Sequence, residues 1–514
     1  MSIKRIIARN AIWSATGMAS GVVTGFITAP FLVHRLGQTT YGLWILIVSL
    51  TSYLNLVDLG LRASITRHVS FFRAKRDKNA INGILSTAQA ILLVAAIVAV
   101  LVTFVMLGML HRVHDVPPGE ISSVRLALIL SGISVAIILA LSVFDAMLWA
   151  YERFDILNVT DVTVDLGQMA MLLYLVSNGG SLVTVAAVTL GWTVVRETAK
   201  VIVCFRIDSE LRITPSRMTA AACRRLFGFG LWRFMWSMGN RATTQCGPLI
   251  IGARLSAQAV TPFSVSSRLV GYAQGISNVA TGVVTPTATA LHAEERDDSQ
   301  RTLFIDGGKY CFTLSLFFVA AIVLLGNSFI TLWMGPALAM HSNLASILAL
   351  GEAIPMSQWI TYSILLGKDR HRVVASASLI EMILVVGLGL LLAGSLGLPG
   401  VCLAVAAPGL AIRGLLPMIY GCRLLKVPAW RYVAGALVPP LTAMALPASG
   451  LAAWVWWRPP QGWIELFFYG GVFSFAYLVA SSAIVVGPEQ MRSLFGQLRI
   501  MAAGAFGTRG EAAP

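Results

Sequence analysis

Fourteen apolar stretches, each long enough to cross a bilayer as a helix, constrain this chain more than anything else in it. They run roughly over 10–33, 43–61, 84–110, 124–149, 158–178, 182–205, 227–252, 263–291, 309–334, 344–366, 375–396, 400–422, 432–455 and 464–487. Inside hydrocarbon every backbone N–H and C=O must find a partner within the protein. Continuous apolar runs of this length meet that demand as helices. The expectation is an all-α, polytopic membrane protein with about 14 transmembrane helices. Only 12% of the residues are charged, about half the share usual in soluble domains.

The formal charge of +15 would suggest a nucleic-acid partner in a soluble protein. Here its placement gives another reading. An even number of spans puts both termini on one side. That side collects 27 of the 38 Lys and Arg residues, the opposite loops hold four, and seven lie within spans. The positive-inside rule then makes both termini cytoplasmic. Lys4, Arg5 and Arg9 precede the first apolar run, but no convincing cleavage site follows, so that run is expected to stay as an anchor. The six cysteines are scattered without a C-x-x-C pair and read as free thiols. His111 and His114 lie in the longest outer loop, without a third metal ligand nearby, and read as solvated. No metal or cofactor is expected.

The first two spans form a hairpin. Gly17, Gly21 and Gly25 recur every fourth position and line one face, where a helix or ligand can approach the backbone closely. Pro30 frees a carbonyl that a neighbour must satisfy. A polar turn over 34–42 is expected between the spans. A faint repeat links Trp13, Pro30 and PFLVHRLG to Trp232, Pro248 and PLIIGARL. It suggests two parallel repeats about an axis along the membrane normal, over roughly 1–215 and 216–425, with a helix pair and tail left over at 426–514.

Several short motifs recur in order: Asn10 and Trp13, Pro30 before an apolar run, Leu36-Gly37, Tyr41-Gly42-Leu43-Trp44 and Asp58-Leu59-Gly60. Tyr151-Glu152-Arg153-Phe154, the run Pro262 to Leu269, Pro286 followed by His292-Ala293-Glu294-Glu295, and Leu332-Trp333-Met334-Gly335 extend the series. With these the chain resembles the bacterial polysaccharide flippases of the multidrug/oligosaccharidyl-lipid/polysaccharide exporter superfamily. The likeness fades after about residue 425. It implies two six-helix lobes, and a transporter in a bacterial inner membrane that moves a polyprenyl-diphosphate-linked oligosaccharide from the cytoplasmic to the periplasmic leaflet by alternating access. Its partners would be the lipid-linked glycan, membrane lipids, a proton or sodium ion, and other polysaccharide-assembly proteins.

Charges within spans carry whatever chemistry the chain has, because each costs about 2.5–3.5 kcal/mol at mid-helix. Asp161 and Asp165 share one face of span five, and Arg196, Glu197 and Lys200 lie at similar depth on span six. A structural salt-bridge cluster is the preferred reading; a gate or cation site is the sharper one. Asp145 and Asp58 lie at the same level, with Asp58 expected to cap the span end beside Arg62. The second-lobe spans carry Arg233, Arg241, Arg268 and Arg413 against only Glu352 and Glu381. The two acids are expected to neutralise two of the arginines, leaving the others to hold a diphosphate in a wet cavity. Asp58, Glu352 and Glu381 are the candidates for ion coupling.

No nucleophile elbow, P-loop or metal cluster is visible in the sequence, and no loop is large enough for a catalytic domain. A membrane polymerase or glycosyltransferase is therefore disfavoured. An organic-cation antiporter would want an acidic cavity, which the excess of arginine opposes. A peptidoglycan-precursor flippase stays open as a near relative.

Overall fold

A computed structural model describes residues 3–58, 60–109, 118–282, 297–368 and 371–486. Within them the chain is all-α, with no strand. The first group of helices is α1 Ile3–Ser52, α2 Leu61–Ala74, α3 Lys78–Met109, α4 Ile121–Ala150, α5 Phe154–Ser177 and α6 Leu182–Ile207. Then come α7 Ala220–Arg254, α8 Ala257–Gly282, α9 Asp297–Met334, α10 Pro336–Ala339, α11 Asn343–Ser357, α12 Trp359–Gly367 and α13 His371–Pro408. The last are α14 Leu416–Leu424, α15 Ala429–Tyr432, α16 Val438–Trp457 and α17 Trp463–Ser481.

Two of these are broken rods. Gly37 interrupts α1 at φ 83° and Gly397 interrupts α13 at φ 61°, backbone that glycine adopts without the penalty a Cβ would bring. The turn expected over 34–42 therefore contracts to one residue, with helix on both sides. With both breaks counted, helical rods occupy each of the fourteen predicted spans, α11 and α12 together forming the tenth. His111, His114, Pro286 and the run from His292 to Glu295 lie outside the described residues.

Among the described residues, nine helices, each broken rod taken as one, are long and apolar enough to cross a membrane. Predicted spans seven, eight and ten are not in that set. α7 and α8 carry Asn240, Arg241, Gln245, Arg268, Gln274 and Asn278. The tenth span is cut at Ser357 and Gln358, just after Pro355. The most polar spans are the ones that line the second-half cavity described below.

Local chemistry explains how the rods are joined. Pro30 cannot donate to the carbonyl of Phe26 four residues back. The Trp333 indole Nε1 donates to that oxygen at 2.8 Å, and its ring stacks on Phe26 at 5.0 Å. The glycine face of α1 is used as expected. A Cβ at Gly25 would sit 2.5 Å from the Tyr272 hydroxyl of α8, and Gly17 faces Asn158 of α5. α2 packs on α4: Thr66 and Arg73 donate to the carbonyls of Ala146 and Ala150 at 3.2 and 3.0 Å. The connection between α6 and α7 is fastened along α3. Lys78 holds Asp208 at 2.7 Å, Arg212 N–H donates to Asn82, Thr214 N–H to Ser86 and Thr219 N–H to Thr87.

Candidate functional site: two charge networks and the cavities around them

The first network joins α2, α4, α5 and α6. Asp145, 6% exposed, lies between Arg62 at 3.0 Å and Lys200 at 3.0 Å. Lys200 also approaches Asp161 at 3.6 Å and Glu197 at 3.7 Å. Arg196 bridges Asp161 at 3.5 Å and Asp165. The predicted pairing across spans five and six is present, and the structure adds Asp145 as the hub. Asp58 accepts from the Arg62 backbone N–H at 3.3 Å, at the first turn of α2.

The second network joins α11, α13 and the π-helical segment Gly409–Leu415 that continues α13. Arg413 Nη2 and Nη1 donate to the two oxygens of Glu352 at 2.6 and 3.1 Å, and Nε donates to Glu381 Oε1 at 2.7 Å. Glycines make this approach possible. Gly351 packs against Ala406, and a Cβ at Gly414 would lie 3.1 Å from Pro355. The π segment turns Arg413 toward both acids, consistent with the frequent use of π-bulges at functional sites. This corrects one expectation: Glu352 and Glu381 neutralise the same arginine, not two different ones. The three side chains line a cavity of about 550 Å³ together with Asn240, Gln274 and Trp359.

The remaining arginines separate. Arg241, on α7, shares a cavity of about 210 Å³ with Asp58, Arg62 and Asn55. Its Nη1 donates to the Ser52 carbonyl at 3.5 Å. Arg241 is not packed against Glu352 or Glu381, whose hydrogen bonds go to Arg413. Arg268, on α8, reaches a cavity of about 300 Å³ shared with Asp165, Gln168, Tyr41 and Trp44. Neither has a carboxylate within ion-pair distance among the described residues. The Arg233 side chain lies outside the described residues. Among the described residues, no group of His, Cys, Asp and Glu is arranged to hold a metal.

A groove of about 450 Å³ runs between α8, α9 and α17, lined by Ile276, Phe317, Leu325, Phe329, Phe467 and Phe473. It abuts Tyr272, which neighbours Arg268.

Residues 7–292, more than half of the chain, match the family model described as polysaccharide biosynthesis protein. The chain belongs to this family. A Shigella flexneri protein provisionally assigned as an O-antigen transporter is 19% identical over 267 residues, which is 51% of this chain and 62% of that relative. The match thus spans less than two thirds of the relative's length. Among solved structures, an outward-facing multidrug resistance MATE transporter of the MOP superfamily aligns with TM-score 0.63 at 14% identity, over 83% of this chain and 96% of that one. An inward-facing MATE structure aligns at 0.59 and 12%, over 80% and 94%. A MOP superfamily transporter from Pyrococcus furiosus, described as having a binding pocket of reverse polarity, aligns at 0.60 and 14%, over 82% and 96%. These likenesses show a shared fold and no more.

Sequence reasoning missed the Arg62–Asp145 pair, the convergence on Arg413 and the cavity-lining Trp359. Pro355 and the glycines at 351, 409 and 414 were the available signals, since they mark where helices bend or approach closely.

Proposed function

We propose that this protein flips a polyprenyl-diphosphate-linked oligosaccharide from the cytoplasmic to the periplasmic leaflet of a bacterial inner membrane, by alternating access. The observation that carries the reading is the placement of Arg241 and Arg268. Both lie on later spans, border cavities completed by the first six spans, and have no carboxylate in ion-pair contact among the described residues. A guanidinium offers a planar fork suited to diphosphate and stays charged at any working pH.

Two lobes, 1–215 and 216–425, would rock about this seam, and Arg241 and Arg268 would grip the diphosphate within it. The aromatic groove beside Tyr272 suits a polyprenyl tail, which gives α17 of the extra pair a part in binding. An ion gradient would drive the cycle through the buried acids.

The test is surface polysaccharide in a deletion strain, normalised to membrane protein level, with the lipid-linked precursor assayed in parallel. Arg268→Ala and Arg241→Ala should reach the membrane at normal level yet lose export and accumulate precursor. Lys at either site should retain partial export. Full export by both alanine variants at normal protein level would overturn the reading.

A further inference from the structure

The Glu352–Arg413–Glu381 cluster carries more negative than positive charge. Two carboxylates face one guanidinium, and Glu352 and Glu381 are 7% and 2% exposed. The groups facing them from neighbouring elements do not restore the balance. α12 contributes Tyr362, whose hydroxyl donates to the Arg413 carbonyl at 3.4 Å, and α7 contributes Cys246 near Glu381. α8 contributes only neutral side chains, among them Ser267 and Gln274. Among the described residues that line this cavity, no other Asp, Glu, Lys, Arg or His is present.

An uncompensated charge buried at this depth is expensive, and such a site takes up a counter-ion or a proton. The hydrogen bonds show which. Arg413 occupies both oxygens of Glu352 and one of Glu381, so the space between the carboxylates is already filled by a fixed cation. A sodium ion there would sit against the guanidinium with a single carboxylate oxygen to bind. That oxygen, Oε2 of Glu381, accepts no hydrogen bond from the described residues. Arg413 keeps 25% of its side-chain surface exposed at the cavity, which gives water a route in.

We propose that Glu352 and Glu381 share one exchangeable proton, with Arg413 as a tethered cation in place of a metal ion, and that this cluster is the coupling site of the transport cycle. A proton from cavity water binds Glu381 Oε2 and makes the cluster neutral; its return to water restores the excess charge. Removing either carboxylate removes the excess charge, so uptake of the proton depends on both acids. The proposal rests on the flippase reading only for the word coupling, because the site itself can be read without any glycan.

The experiment is infrared difference spectroscopy on the purified full-length protein in lipid nanodiscs, switched between about pH 8 and about pH 5, where ordinary surface carboxylates contribute little. The wild-type spectrum is compared with Glu381→Gln and with Glu352→Gln. Each variant should lose the same single protonated-carboxyl band, and exchanging choline for sodium at constant pH should leave the band in place. Glu381→Asp, which keeps the carboxylate, should retain the band with a shifted midpoint, and it serves if the glutamine variant does not purify as a folded protein. Spectra of both glutamine variants identical to wild type would overturn the proposal, as would an aspartate variant whose midpoint does not move. Loss of the band on adding sodium would assign the site to a metal cation instead. Failure here leaves the export assay untouched, and failure of that assay leaves this titration untouched.

Discussion

The Trp333 indole N–H and the Phe26 carbonyl are 2.8 Å apart, and the carbonyl is the one that Pro30 leaves without an intrahelical donor. The bond that Pro30 leaves open in α1 is thus made by a residue more than three hundred positions away in the sequence. The bond ties the end of α9 to the first transmembrane rod, and ring stacking reinforces it.

Trp333→Phe keeps the stacking and removes the donor. It should lower stability by about 1–3 kcal/mol, the cost of stranding a buried acceptor. Pro30→Ala restores a donor within the helix, so the same Trp333→Phe change should cost clearly less in that background. Thermal unfolding of the four proteins in one detergent measures the coupling. Equal losses in both backgrounds would mean that the bond does not stand in for the donor that Pro30 lacks.

Lys200 serves Asp145, Asp161 and Glu197 from a position only 6% exposed. Lys200→Met should depress folded yield strongly, on the order of 3–5 kcal/mol for stranded buried charge. Adding Asp145→Asn should recover part of the loss, while Arg62 keeps a partner-sized amide. The readout is the monodisperse fraction by size exclusion. Normal yield of Lys200→Met with lost export would favour a gate over a structural tie.

Asp208 lies beyond the end of α6 and clips the α6–α7 connection to α3. Burial works against its charge, but hydrogen bonds from Lys78 and Tyr151, with the Lys78 ammonium, win and hold the carboxyl below its usual range. A depressed carboxyl contributes stability that is present above its unfolded value and lost as pH falls through the folded one. The clip should therefore be intact at neutral pH and weaken only in acid below about pH 4. Proteolysis within 208–219 should rise over that window in the wild type. Asp208→Asn should be cleaved equally at neutral and acid pH; a wild-type rise near neutral pH would refute the assignment.

The charge asymmetry predicts sidedness. Single cysteines placed within 206–226 should react with an impermeant maleimide only after the inner membrane is opened. Cysteines within 118–123 should react once the outer barrier alone is opened. The reverse pattern would invert the proposed topology.

Much of this architecture was readable because it rests on local signals. Apolar run length located the rods of all fourteen spans, though not the amphipathic α2, and antiparallel adjacency of α5 and α6 brought Asp161 and Asp165 to Arg196 and Lys200. Pro30 announced that some donor must exist, but periodicity carries no distance between α1 and α9, so Trp333 could not be named. The same holds for Arg413. Glu381 lies on the rod just before its own, but Glu352 lies two spans back, and charge counting alone assigned the two acids to two arginines where the fold brings both to one. Gly37 was misjudged because a polar run reads as a turn, while the backbone needs only one glycine to reverse.

The polarity of α7, α8 and the α11–α12 pair bears on how the protein is made. A helix holding Asn240, Arg241 and Gln245 gains little by leaving the translocon for lipid on its own. Its most extensive partner is α13, where Ser378 packs on Gly239, and α13 emerges from the ribosome long after α7 has been synthesised. Biogenesis must therefore shelter the second half of the chain until its later, greasier helices arrive, and the cavity these helices line is assembled as a cohort, not one span at a time.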